Sequence, residues 1–113
     1  MTPNEQMQRS LEGLSVGDAF GERFFVREDV LATALKTRRV PAGAPWAWTD
    51  DTAMALALVE TLTAHGTLDA DDFAKRLGAR YMAQPSRGYG AGAHEVLASL
   101  STGVPWDQAA KLL

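Results

Sequence analysis

Trp48-Thr49-Asp50-Asp51-Thr52-Ala53-Met54-Ala55-Leu56-Ala57-Leu58-Val59 is the stretch that decides the fold class. A hydroxyl and two adjacent carboxylates stand directly before an unbroken run of alanine, leucine, methionine and valine, most of them strong helix formers. Threonine is a favoured N-cap, carboxylates in a first turn meet the positive end of the helix dipole, and Gly66 is placed to end the run after about Ala64. The expectation is a helix with Thr49 as its N-cap and, because the body is apolar nearly all round, a central buried position. The same residues carry a second, chemical reading. Thr49, Asp50 and Asp51 offer only oxygen donors, the kind preferred by hard divalent cations such as Mg²⁺. An acidic helix cap is the commoner use of such a cluster and part of a metal site the rarer one. Successive helical residues diverge by about 100°, so the two aspartates suit two neighbouring ions, or one ion and its water shell, better than joint chelation of one.

Outward from this helix, every strong periodic signal is helical. Thr2-Pro3-Asn4-Glu5 supplies a cap, a proline for the first helical position and an acid three residues after the cap, so a first helix starts there. Met7, Leu11, Leu14 and Ala19 follow near helical spacing and define its apolar face. Gly13 and Gly17 lower the intrinsic stability of that helix, which suggests close approach of another helix or a ligand. Val30, Leu31, Ala34 and Leu35 suggest a shorter helix after Arg27, ended by the loop Arg39-Val40-Pro41-Ala42-Gly43-Ala44-Pro45. A fourth helix is expected from the cap Asp69, with Phe73, Leu77 and Tyr81 on one stripe, stopping before Pro85. A fifth spans about Ala91 to Leu100, with Val96, Leu97 and Leu100 inward and Gly103 beyond its end. A sixth starts near Pro105-Trp106 and is still helical in pattern at Leu113, where no cap chemistry closes it. No strand alternation, repeat or low-complexity segment is present.

With 113 residues the chain makes one domain at most. Its 46% hydrophobic and 22% charged residues are ordinary for a soluble globular protein. No apolar stretch reaches the length of a membrane span and the N-terminus lacks a signal-peptide pattern, so a cytoplasmic location and no membrane partner are expected. The absence of cysteine excludes disulfides, thiolate metal sites and a thiol nucleophile. A net charge of -3, with no basic run beyond Arg38-Arg39, gives no nucleic-acid footprint.

Two further constellations carry glycines. Gly17-Asp18-Ala19-Phe20-Gly21 reads as a helix-to-loop junction in which Asp18 makes a local hydrogen bond. Gly88-Tyr89-Gly90-Ala91-Gly92 lacks the preceding strand and full spacing of a dinucleotide-binding loop, but glycines feeding a helix N-terminus leave free amides for an anion. Tyr89 suits either contact with a sugar or base, or the commoner role of loop anchor. His65, at a helix end, reads as a solvated residue, and His94 as a packing or surface residue before a cleft one. Trp46 and Trp48 read as core anchors before adenine-stacking groups. Arg38-Arg39 reads as solvated surface before a pyrophosphate contact.

Taken in order, Gly17-Asp18-Ala19-Phe20-Gly21, Trp48-Thr49-Asp50-Asp51-Thr52-Ala53-Met54-Ala55-Leu56 and Arg87-Gly88-Tyr89-Gly90-Ala91-Gly92 resemble the N-terminal part of the ADP-ribosylglycohydrolases, the relatives of dinitrogenase reductase activating glycohydrolase. The resemblance runs from about Leu11 to Ala110. It implies an all-α, orthogonally packed multi-helix fold, of which residues 1–113 would be an incomplete N-terminal part of about six helices in a single domain. It also implies a two-Mg²⁺ centre that cleaves the glycosidic bond between ADP-ribose and an acceptor, with ADP-ribose or an ADP-ribosylated substrate as partner. By the same resemblance Thr49, Asp50 and Asp51 match the first half of the metal ligand set, Asp50 and Asp51 serve catalysis through the metals, and Gly88, Tyr89 and Gly90 match a ligand-binding element near the cleft. The metals would orient ribose hydroxyls and a water for attack at the anomeric carbon, without a covalent nucleophile.

Two departures qualify that expectation. Many members of the family place a glutamate seven residues after the aspartate of the Gly-Asp element, and Phe25 stands there in this chain, flanked by Glu22 and Glu28. The segment Glu22-Arg23-Phe24-Phe25 is therefore expected to close the site in another way, for instance as an apolar lid, unless the substrate itself differs. The family's remaining ligands, a D-x-D-T element and a Gly-Asn-Gly loop, do not occur in the chain. Three ligand residues do not fill two shells of about six oxygens each, so the isolated chain is expected to bind Mg²⁺ weakly and to turn over nothing. The alternatives are a non-catalytic truncated helical module that binds a partner or self-associates through its uncapped C-terminal side, and a generic helical nucleotide-binding domain.

Overall fold

The computed structural model describes residues 1–43 and 45–113; Ala44, within the expected Arg39–Pro45 loop, lies outside the described residues. The helices are α1 (Pro3–Glu22), α2 (Glu28–Thr37), α3 (Asp50–His65), α4 (Ala70–Ala83), α5 (Ala91–Ser101) and α6 (Trp106–Ala109), with a 3₁₀ turn over Ala110–Leu112. No strand occurs among the described residues, so the fold is all-α as expected.

Local chemistry explains the boundaries. The Thr2 hydroxyl accepts from the Glu5 amide at 3.2 Å while the Thr2 amide donates to the Glu5 carboxylate at 2.7 Å, a reciprocal cap that satisfies two free ends of α1. Gly66 ends α3 at a φ of +72°, a conformation that glycine adopts without Cβ strain. Asp69 accepts from the Asp72 amide at 2.9 Å and starts α4, which stops two residues before Pro85.

The layers build around α3, which packs on α1 along one side and on α4 along the other; α4 in turn packs on α5. Ala53, Tyr89 and Leu97 form the core between α3 and α5, with Trp48, Met54, Leu77, Tyr81, Ala93 and Leu100 packed around them. Gly78 makes the α4–α5 crossing close: a Cβ there would lie 2.9 Å from the Ser101 amide nitrogen.

Several expectations need correction. Only Thr52, Ala53, Ala57 and Thr61 of α3 are buried, because α1 and α4 cover two sides of the helix and leave the remainder half open. Leu14, placed on the inward face of α1, is 42% exposed. Nothing lies within 4 Å of a Cβ built at Gly13 or Gly17, so neither glycine serves a close helix approach. Trp46 is half exposed against Phe20, at 5.6 Å between ring centroids, and does not anchor the core as Trp48 does. The last segment leaves the α-helix at Ala109 and tightens to a 3₁₀ turn, a common form of a helix end. Finally, α2 packs against no other helix among the described residues.

Candidate functional site

The site is assembled from three separate stretches. The end of α1 and the turn after it contribute Gly17, Asp18, Gly21, Glu22 and Phe25; the start of α3 contributes Thr49, Asp50 and Asp51; the α4–α5 loop contributes Gly88. Together they line a cleft of about 510 Å³.

Asp18 is the hub of this arrangement. It accepts from the Thr49 hydroxyl at 2.6 Å, the Thr49 amide at 2.7 Å, the Thr52 hydroxyl at 2.6 Å and the Thr52 amide at 3.2 Å. Asp18 thus satisfies the Thr49 and Thr52 amides at the start of α3 in place of the N-cap's own side chain, while the Asp50 amide donates to the Arg87 carbonyl. Thr49 does occupy the N-cap position, but its hydroxyl caps nothing and donates to Asp18 instead. The expectation of a local hydrogen bond at Asp18 is corrected accordingly. Burial alone would raise the Asp18 carboxyl, but the two hydroxyls and two amides outweigh it and hold the group below the usual aspartate value.

Asp51 shows the opposite balance. Its partial burial, then the nearby charges of Asp50 and Asp18, push its carboxyl above the usual value. Crowded carboxylates without cationic partners are a setting in which a bound cation relieves repulsion. The donor set of Thr49, Asp50 and Asp51 fits a hard cation chemically. The Thr49 hydroxyl spends its proton on Asp18 and keeps its lone pairs for another partner. Yet among the described residues no three acidic or imidazole side chains converge closely enough to hold a metal by themselves.

Of Gly88, Tyr89 and Gly90, only Gly88 lines the cleft. Its φ of +92° favours glycine, and a Cβ there would stand 3.9 Å from Asp50 Oδ1. Tyr89 turns inward, is 6% exposed, and packs edge-on against Tyr81 at 5.2 Å and His94 at 6.0 Å; it is a loop anchor. Burial, then the Asp50 charge, raise its hydroxyl above the usual tyrosine value. Gly90 is the N-cap of α5, where no side chain caps the free amides. His94 shares a 2.7 Å hydrogen bond with Tyr81 and is a packing residue, while His65 is tied to Asp72 at 2.9 Å. Thr52 and Arg87 gain roles that spacing alone did not assign: Thr52 donates twice to Asp18, and the Arg87 carbonyl accepts from the Asp50 amide. The one local signal was a second threonine, Thr52, three residues after Thr49.

An all-α frame that gathers a hydroxyl, acidic groups and a glycine loop around one open cleft defines a class: a helical protein with an oxygen-rich cleft at a helix N-terminus. The chain belongs to the ADP-ribosylglycohydrolase family, whose model matches residues 1–112, and it corresponds to the family's N-terminal portion. It is similar to ADP-ribosylhydrolase ARH3 of Bos taurus, with 38% identity over 94 residues, 73% of this chain and 26% of that protein. The protein of the same name from Homo sapiens is 36% identical over 102 residues, covering 80% of this chain and 28% of the relative. That from Gallus gallus is 32% identical over 102 residues. The chain therefore spans about a quarter of the length of these relatives. No solved structure gives a significant match.

Proposed function

We propose that this chain supplies one wall of the active site of a hydrolase that cleaves the glycosidic bond of ADP-ribose conjugates with two Mg²⁺ ions. The observation that carries the reading is the convergence of Thr49, Asp50, Asp51 and Gly88 on one cleft, in a member of a family whose relatives are named for ADP-ribosyl hydrolysis. Thr49, Asp50 and Asp51 would hold part of the metal shell. When bound, Mg²⁺ supplies Lewis-acid polarisation and water activation at neutral pH.

The chain's own residues have defined tasks in this reading. Asp18 fixes the Thr49 hydroxyl with its lone pairs free, and stays ionised while doing so. Gly88 lets backbone stand close to Asp50, and the uncapped start of α5 beside that loop offers amides to a diphosphate. Glu22 and Phe25 line the cleft, Phe25 at the position where many members of the family carry a glutamate; it is 84% exposed and brings no cation ligand there. A cytoplasmic setting and the absence of nucleic-acid and membrane partners go with this reading. So does the shortage of ligands: three residues cannot complete two shells of about six oxygens.

Calorimetric titration of the chain with MgCl₂, then with ADP-ribose in excess Mg²⁺, tests the reading. Weak Mg²⁺ binding, on the order of 10⁻³ M as for ligand-poor oxygen sites, is expected, lost in Asp50→Asn and Asp51→Asn, with no release of ADP-ribose from a conjugate. Mg²⁺ affinity indifferent to both substitutions would place the ion elsewhere, and measurable turnover would show that these residues suffice for catalysis.

A further inference from the structure

Two of the three stretches that line the cleft, the Gly88 loop and the start of α3, are distant in sequence, and one residue grips both. We propose that Arg87 is the positioning residue of the cleft: its guanidinium locks the Gly88 loop onto the N-terminus of α3, so that Gly88 and Asp50 stay side by side on the cleft lining. The proposal rests on the reading of this cleft as the ligand site, and its geometric part can be tested without any ligand.

Four contacts carry it. The Arg87 guanidinium lies over the Trp48 ring, 3.6 Å from its centroid. Its Nη1 donates to the Trp48 carbonyl at 2.9 Å, and its Nε donates to Gln84 Oε1 at 3.0 Å, back towards the end of α4. The Arg87 carbonyl accepts from the Asp50 amide at 2.8 Å. The side chain thus holds residue 48 while the backbone holds residue 50, and Gly88 follows directly. On its other side Gly88 is fixed by Tyr89, plugged against Tyr81 and His94. A glycine at a φ of +92° between two anchored neighbours keeps its place only while both anchors hold.

The residue type matters. A planar guanidinium stacks on an indole and donates in two directions at once, which a lysine ammonium on a flexible stem does not reproduce. A cation serving only to offset the carboxylates of the cleft would be replaceable by lysine. A clamp would not be.

The experiment compares the full chain with Arg87→Ala and Arg87→Lys by amide hydrogen exchange and by Mg²⁺ calorimetry. In Arg87→Ala the Asp50 amide is expected to exchange at least about tenfold faster, as local opening does, with Ala57 and Thr61 in the body of α3 unchanged and Mg²⁺ affinity about tenfold weaker. Arg87→Lys should fall between. If Arg87→Ala does not fold, the lysine variant decides: faster exchange at Asp50 without change at Thr61 supports the clamp. Unchanged exchange at Asp50, equal acceleration throughout α3 and α4, full rescue by lysine, or equal Mg²⁺ affinity in wild type and Arg87→Ala would each overturn it. A wild-type chain that binds no Mg²⁺ would instead fail the reading of the cleft, and the exchange data would still judge the clamp.

Discussion

At the scale of single residues, Asp18 decides whether the cleft exists. Four hydrogen bonds converge on its carboxylate, two from Thr49 and two from Thr52, and Thr52 is 2% exposed. Removing the acceptor strands buried donors, which costs more than the loss of a surface contact. Asp18→Ala is expected to destabilise the chain by about 3 kcal/mol, and Asp18→Asn by about 2 kcal/mol, because the amide keeps one acceptor and turns an NH₂ towards donors. Urea unfolding at neutral pH reads both values; a loss below about 0.5 kcal/mol, the range of ordinary surface substitutions, would show that water replaces the carboxylate at no cost. The start of α3 was legible in Thr49-Asp50-Asp51-Thr52, since capping and dipole preferences are local. Its capping partner was not, because Asp18 lies 31 positions before Thr49 and only the packing of α1 on α3 brings them together. Arg87 was unassigned for the same reason: its stacking partner, Trp48, is remote in sequence.

Among the elements, the α3–α4–α5 layer holds the cleft in place, and two of its contacts make separate predictions. The first is steric. A methyl at Gly78 would meet backbone atoms of Leu100 and Ser101 at 2.9 to 3.2 Å, and backbone cannot rotate away as a flexible side chain can. Gly78→Ala, normally favourable in a helix, should here destabilise by about 2 kcal/mol through overpacking; a rise in thermal stability would mean that α4 and α5 can part at no cost. The second contact is electrostatic. Arg76 pairs with Glu60 at 3.1 Å and with Asp72 at 2.9 Å, and Arg80 also pairs with Glu60. The hydrogen bond from Arg80 is the main cause that holds the Glu60 carboxyl below its ordinary value. A lowered folded-state value means stability present above 4.5 and lost as the pH falls through the folded value. These side chains are about a third exposed, so solvent screening limits the gain, and Glu60→Gln should cost about 0.5 kcal/mol at pH 7. The gap between wild type and Glu60→Gln, followed by denaturant unfolding from neutral to acid pH, should close as the pH falls below 4.5; a gap independent of pH would assign the cost to packing. The starts of α1, α3 and α4 and the end of α3 were legible from local capping residues and Gly66, whereas Gly17-Asp18-Ala19-Phe20-Gly21, read as a helix-to-loop junction, lies wholly within α1, which runs on to Glu22. Burial along α3 was not, because its composition is apolar on sides that α1 and α4 do not reach.

For the whole molecule, shape and core size point the same way. The radius of gyration is 16.6 Å, against about 13 Å for a compact domain of this length, and the body measures 46 × 39 × 21 Å. Among the described residues the buried hydrophobic positions are six alanines with Tyr89 and Leu97, so little apolar area leaves water on folding. Meanwhile Val16 and Leu35 stay 62% exposed, Met82 61% and Leu113 85%. Helix α2 has no close backbone packing on another helix among the described residues, and Phe20, Phe24, Ala34 and Leu35 line an open apolar pocket beside it. A plate of this kind leaves large apolar side chains exposed, and exposed apolar patches associate. The chain is therefore expected to be marginal in stability, below about 5 kcal/mol, and to self-associate. Sedimentation velocity should show a weight-average coefficient that rises with concentration, and a dye that fluoresces on apolar surface should bind. Placing a charge at Val16 or at Leu113 locates the contact: Val16→Glu returning the chain to monomer assigns it to the groove between α1 and α3, Leu113→Glu to the C-terminal side. A monomer at every concentration, with no dye bound, would show that half-buried leucines and alanines keep these faces closed to a second copy, and that the chain stands alone despite its flat form.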